Sequence, residues 1–290
     1  MDGECQLLKG IKNQSDVDTL DVAHLRLGQV DFINCLPINL PIELGEVDID
    51  AKIIKSVPSK LNKMILTGEI DIAPVSSITY LENKDMLTPI SDLCIASNGP
   101  ADSVLLFSKF PIEELDGAKI ALSNVSATSN VLLQIILREF LKITAVFTVG
   151  EFYEMPLQLE QYQAVLFIGD HALYEYSKMP RDIFIYDLGS LWKKHTGLPM
   201  VFGIWVTRKD LVTLQATSLL VNQLRTAKEI GLSISFDKVI KKAQEKILLS
   251  KEFYATYFQH LSYDYTKEYE KGLELFEYYC RSTKAVKSYF

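Results

Sequence analysis

From Leu25 onward, short apolar runs alternate with amphipathic stretches, and the junctions between them are polar. LRLGQV (25–30) reads as a strand, and INCLPINLPIEL (33–44) carries prolines at 37 and 41 that place a loop and the start of a helix there. IDAKIIKSV (49–57) alternates as a half-buried strand does. In PSKLNKMILTGE (58–69), Pro58 suits a first helical turn, Leu61, Met64 and Ile65 share a face, and Gly68 stops the helix. IDIAPV (70–75) is the next strand, so the order is βαβ and predicts a parallel sheet. Further strands are expected at 89–97, 103–108, 119–123, 164–170, 183–189 and 201–208. The C-terminal third changes character, with helices expected at 211–230, 235–249, 251–260 and 266–285. The last carries Tyr269, Leu273, Phe276 and Cys280 at helical spacing, the pattern of a packing face.

Composition narrows the class. A chain of 290 residues with 48% hydrophobic content can bury a large core and suits two compact lobes better than one. Its net charge is −7 and it has no long basic run, which argues against nucleic acid as a partner. Cys5, Cys35, Cys94 and Cys280 show no CxxC spacing, so neither a disulfide framework nor a zinc site is indicated and a reduced compartment is expected. Residues 1–25 hold no continuous apolar segment of the kind a secretory signal needs, and no run long enough to span a membrane occurs. A cytoplasmic protein is expected, with residues 1–24 a flexible extension.

The polar junctions fall where strands end, the side of an open α/β sheet where ligands bind. Asn34 follows the first strand, Ser76 and Ser77 the third, 98–103 precedes the strand at 103–108, and Gly169-Asp170-His171 ends the strand at 164–170. The junction after 119–123 is the densest, with Ser123, Asn124, Ser126, Thr128, Ser129 and Asn130 ahead of a longer apolar run. Such residues cap helices, and with the amides of a helix N-terminus they also describe an anion site. Both readings stand on the residues alone. Asp170 is read as a helix cap or as half of an acid/base pair with His171. Asp71, at a strand start, is read as structural, Arg208 and Lys209 as solvated, and Trp192 and Trp205 as core or cleft wall. His24, His171, His195 and His260 are scattered, so no metal is expected, and GxGxxG, P-loop and GxSxG motifs are absent.

LGQVDFINCLPI (27–38), PSKLN with GEIDIAPVSSITY (58–80), ASNGPADSVLLFSK (96–109), ALSNVSATSN (121–130), FIGDHAL (167–173) and DLGSLWKKHTGLPMVFGIWVTR (187–208) occur in order. Together they resemble the chorismate dehydratase family of menaquinone biosynthesis by the futalosine route. The resemblance runs from about Arg26 to Lys209 and leaves out the front extension and the helical C-terminal third. It implies an α/β, two-lobed periplasmic-binding-protein-like fold of type II. The lobes would be 25–104 with 205–290, and 105–204, joined by crossovers near 100–110 and 200–208, with the helical tail returned to the first lobe. The implied reaction is loss of water from chorismate, giving 3-[(1-carboxyvinyl)oxy]benzoate, with no cofactor. The implied substrate-binding residues are Ser76, Ser77, Ser103, Ser126, Thr128, Ser129 and Gly169, and the implied catalytic residues are Asn34 and Asp170. The base would be either Asp170 or a carboxylate of chorismate itself. Two alternatives share the fold: an enzyme like 1,4-dihydroxy-6-naphthoate synthase, and a non-catalytic cytoplasmic protein that binds small anions.

Overall fold

The computed structural model describes residues 25–179 and 181–283. The expected extension at 1–24, with Cys5 and His24, and the end of the expected helix at 266–285 lie outside the described residues. In chain order the first elements are β1 (Leu25–Val30), a short 3-10 turn (Ile33–Cys35), α1 (Leu36–Glu43), β2 (Ala51–Ser56), α2 (Pro58–Leu66), β3 (Ile72–Ser76), α3 (Ser77–Glu82) and β4 (Leu87–Ser97). A second set follows: β5 (Val104–Ser108), β6 (Lys119–Ser123), α4 (Ala127–Ile135), β7 (Val146–Gly150), α5 (Met155–Gln161), β8 (Ala164–Ile168), α6 (Gly169–Ser177), β9 (Phe184–Asp187) and α7 (Leu188–Thr196). The chain then runs through β10 (Met200–Arg208), α8 (Gln215–Gly231), α9 (Phe236–Lys246), α10 (Lys251–His260), β11 (Leu261–Asp264) and α11 (Lys267–Ser282).

Two sheets result, ordered β11-β4-β10-β3-β1-β2 and β7-β6-β8-β5-β9. The expected parallel pairing holds where βαβ units are complete: β1 runs parallel to β2 and β3, and β6 to β7 and β8. Both sheets are nevertheless mixed. β10 returns from the second set of elements and enters antiparallel between β3 and β4, while β5 lies antiparallel between β8 and β9. Two strands escape the apolar pattern, and both are edges. No residue of β7 is buried, and β11 has only four residues.

The helical tail divides. The faces of α8, α9 and α10 join the core built on β1 and α1, through Leu224, Val239, Ile240 and Tyr257. The face of α11 does not follow them. Leu273, Phe276 and Cys280 join a second core that holds residues of both sheets, Cys94, Ala96 and Val201 of the first with Ile120 and Leu122 of the second. Trp192 and Trp205 are both core residues, 0% and 2% exposed. Gly231, near the end of α8, lets that helix meet α1 at backbone contact: a Cβ built there would lie 1.9 Å from the Pro37 carbonyl oxygen.

Asp71 closes the end of the first sheet away from the ligand side of the strands. Its carboxylate accepts from the Arg26 guanidinium at 2.7 and 2.9 Å, from the Arg26 main-chain N–H at 2.8 Å and from Arg208 at 3.5 Å. Arg208, expected in solvent, is therefore shared between Asp71 and Asp210. Burial pushes the Asp71 carboxyl up, but the hydrogen bonds and charges of the two arginines outweigh it and hold it below the usual carboxylate range.

Two outcomes are expected. Gly231→Ala should lower unfolding free energy by about 3 kcal/mol through overpacking, read from urea melts, because backbone at 1.9 Å has no rotamer to move into. A depressed carboxyl stabilises the fold above its unfolded pKa of about 4, and that contribution fades as pH falls through the lower folded value. Comparison of wild type with Asp71→Asn from pH 7 to pH 2 should therefore show a stability gap at neutral pH that narrows on acidification.

Candidate functional site

A cleft of about 770 Å³, counting its open mouth, lies between the two sheets. Its walls are built from helix starts. Phe32, which precedes the 3-10 turn, Pro58 at the first position of α2, and Ser76, Ser126 and Ile168, the residues that precede α3, α4 and α6, all line it. Strand-to-helix turns place them there, because each strand delivers its chain to the same side of the sheet. Amide N–H groups and the positive ends of helix dipoles consequently converge on one volume. None of the lining residues carries a charge.

Most of the hydroxyls in this wall are engaged. Ser76 Oγ accepts from Thr79 N–H at 3.2 Å and Ser126 Oγ from Ser129 N–H at 3.3 Å, so both are N-caps. Thr128 Oγ1 accepts from Ile78 N–H at 3.2 Å, reaching from α4 across to α3. Ser103 Oγ accepts from Tyr257 and points its own proton at the Ala101 carbonyl 3.3 Å away. Accepting from an N–H leaves the hydroxyl's own proton to donate, as at Ser126 and Thr128, while Ser76 Oγ also lies 2.8 Å from Thr79 Oγ1 and shares a proton with it. Asn34 adds an acceptor. Its Oδ1 is buried without a donor, while its main-chain carbonyl accepts from Tyr263 at 2.9 Å.

Of the residues singled out from the sequence, Asn34, Ser76, Ser103, Ser126, Thr128, Ser129 and Gly169 are brought together as cleft lining. Ser77 is not among them: it is fully buried and donates to the Val201 carbonyl at 2.6 Å. Asp170 also lies outside the lining. Its Oδ1 accepts from Ile33 N–H at 2.7 Å and its Oδ2 pairs with Lys246 at 3.1 Å, so it caps the 3-10 turn from across the cleft. Burial pushes its carboxyl upward, and the Ile33 N–H and Lys246 pull against that. His171 turns elsewhere, onto the Tyr153 carbonyl and the Phe167 ring, and does not form an acid/base pair with Asp170. Within the dense junction, Asn130 ties α4 to the strand end through Ser123 O at 2.8 Å.

Several cleft residues gave no chemical signal in the sequence. Phe32 packs against Gly169, which has φ +58° and where an added Cβ would lie 3.0 Å from the ring edge. Cys35 lines the wall with its thiol pushed up to about 12 by burial, so it stays neutral. Tyr257 and Tyr263 reach Ser103 and Asn34 from α10 and β11, beyond the stretch that carries the motifs.

A family model described as menaquinone biosynthesis matches residues 25–282. The chain belongs to that family. A curated relative named chorismate dehydratase, from Thermus thermophilus, is 34% identical over 71% of this chain and 77% of its own length. Another of that name, from Campylobacter jejuni, is 31% identical over 61% of this chain and 64% of its own length. Members of this family so named are enzymes. Among solved structures, a protein from Archaeoglobus fulgidus superposes with a TM-score of 0.75 at 17% identity, covering 91% of this chain and 99% of that one. The alkanesulfonate-binding protein of Xanthomonas axonopodis pv. citri follows with a TM-score of 0.59 at 15% identity, covering 89% and 93%. These two likenesses establish a periplasmic-binding-protein-like fold. No helix among the described residues is long and apolar enough to cross a membrane.

The bond between Thr128 and Ile78 gives this site a test of its own. Thr128→Val keeps the shape and strands the Ile78 N–H, with an expected loss of about 1–2 kcal/mol in urea melts. Thr128→Ser should lose less than half as much. Equal losses would assign the effect to methyl packing instead.

Proposed function

We propose that this protein is a chorismate dehydratase, a hydro-lyase that removes water from chorismate to give 3-[(1-carboxyvinyl)oxy]benzoate, acting in the cytoplasm without a cofactor. The observation that carries the reading is the uncharged, donor-rich cleft wall. Chorismate brings two carboxylates, which only accept hydrogen bonds, and the hydroxyls of Ser76, Ser126, Thr128 and Ser129 with the first amides of α4 offer protons to receive one of them. The relatives of that name support the same substrate. We also propose two lobes, 25–104 with 205–290 and 105–204. Each sheet draws its strands from one of these stretches, save that β10 begins at Met200 and β5 at Val104.

The elimination breaks one ring C–H bond and the ring C–O bond of the departing hydroxyl. A base takes the ring proton, the same base returns it to the departing hydroxyl so that this leaves as water, and the ring becomes aromatic, which supplies the driving force. The protein then has to orient the substrate and stabilise developing charge. The unpaired Asn34 Oδ1 takes the ring hydroxyl as a donor and fixes the direction of the breaking bond. Asp170 is engaged by Ile33 and Lys246 outside the lining, which supports a carboxylate of the substrate as the base.

Purified protein mixed with chorismate, followed by ultraviolet spectrum and product mass, is expected to yield the enolpyruvyl benzoate with loss of one water. Unchanged chorismate accompanied by a raised melting temperature would replace the enzyme with a binder. Asp170→Asn retains an acceptor for Ile33 N–H and should keep turnover within about tenfold, whereas a fall of a thousandfold or more is the size expected for a missing general base.

A further inference from the structure

We infer that Tyr257 is a positioning residue of the cleft, which acts by donating its hydroxyl to Ser103 and thereby aiming Ser103's own proton at the bound substrate. The inference rests on the reading of the cleft as a chorismate site. Tyr257 lies on α10, in the C-terminal helical third that the sequence motifs leave out, and is 0% exposed. Its ring packs among Phe253, Tyr254 and Phe258 with centroids 6.3, 6.4 and 5.2 Å away. Phenylalanine would fill the same space, so the hydroxyl adds nothing to this packing. What it adds is one bond, Oη to Ser103 Oγ at 3.1 Å.

The position of Ser103 is determined from several sides. The two preceding residues are gripped by Asp187, whose carboxylate accepts from Ala101 N–H at 3.0 Å and from Asp102 N–H at 2.7 Å. Asp102 adopts φ +55°, a left-handed conformation that non-glycine residues keep only where the surroundings hold it. Its carboxylate meets Nδ1 of His260 at 2.6 Å, one helical turn beyond Tyr257. A single face of α10 therefore engages consecutive residues, Asp102 through His260 and Ser103 through Tyr257. With its main chain set, Ser103 keeps two freedoms, its χ1 rotamer and the direction of its O–H.

Tyr257 restricts both. Its donated proton occupies a lone pair of Ser103 Oγ, which leaves the serine as the outward donor and polarises its O–H. The present acceptor, the Ala101 carbonyl, is at 3.3 Å, long for an O–H···O bond. A carboxylate or hydroxyl oxygen of the substrate placed in the cleft is a better partner, and the Ser103 proton turns to it without loss of the Tyr257 bond.

The test is a double-mutant cycle of Tyr257→Phe and Ser103→Ala measured by chorismate turnover, with melting temperature followed in parallel. Tyr257→Phe is expected to lower kcat about tenfold with KM within about twofold, and to have no further effect in the Ser103→Ala background. Unchanged kcat, or an effect that persists without Ser103, overturns the inference. A high-resolution crystal structure of Tyr257→Phe decides the matter independently of turnover. Ser103 Oγ spread over more than one rotamer is expected, and a single unchanged rotamer overturns it. If the wild-type protein leaves chorismate intact, the proposed function fails, while the rotamer result still reports on the clamp.

Discussion

A buried carboxylate holds the place where the chain passes from one sheet to the other. Asp187 starts α7 by accepting from Ser190 N–H at 2.8 Å, and the same group accepts the main-chain N–H groups of Ala101 and Asp102. Burial pushes this carboxyl above the usual range against the pull of those three donors, so the arrangement carries a desolvation cost. In return it joins the end of β9 to the start of β5. Ser103, the wall of the cleft and the seat of Gly169 all follow from that junction, since Gly169 N–H donates to Ser103 O at 2.7 Å.

The cleft itself avoids the desolvation problem that Asp187 carries. A buried arginine would bind a carboxylate strongly but would be costly to keep dry in its absence. Neutral hydroxyls and amides stay satisfied with the cleft empty, because each wall serine or threonine that caps or bridges already holds an N–H. Helix geometry thus does two tasks with one set of groups: it closes the helix ends, and it leaves protons facing the same volume.

The sequence was most readable where local rules are sufficient. β1 to β3, the capping serines before α3 and α4, and the amphipathic faces of α8 to α11 follow from alternation, N-cap chemistry and helical spacing. The motif positions Asn34, Ser103, Thr128 and Gly169 also meet in one cleft. What stayed hidden depends on distant pairing. β7 is an edge strand without a buried face of its own, β11 is an edge strand of only four residues, and the antiparallel entry of β10 depends on where the chain has been. Asp170 and Ser77 lie beside cleft residues in the chain, yet their side chains are committed to Ile33 and Val201. Tyr257 looked like any aromatic on a packing helix, since a single hydroxyl does not alter hydrophobic periodicity.

Two of the bonds that reach across the cleft share one asymmetry. Thr128 takes the N–H of Ile78 and Asp170 takes the N–H of Ile33, so in both cases the second half of the molecule supplies a side chain and the first half supplies only backbone. Every residue except proline presents such an N–H. Positions 33 and 78 are consequently free to drift in identity as far as these bonds are concerned, while 128 and 170 are not. The mutational tolerance of the two lips is unequal by construction, and a swap of the first lip between relatives would carry its half of the latch along unchanged.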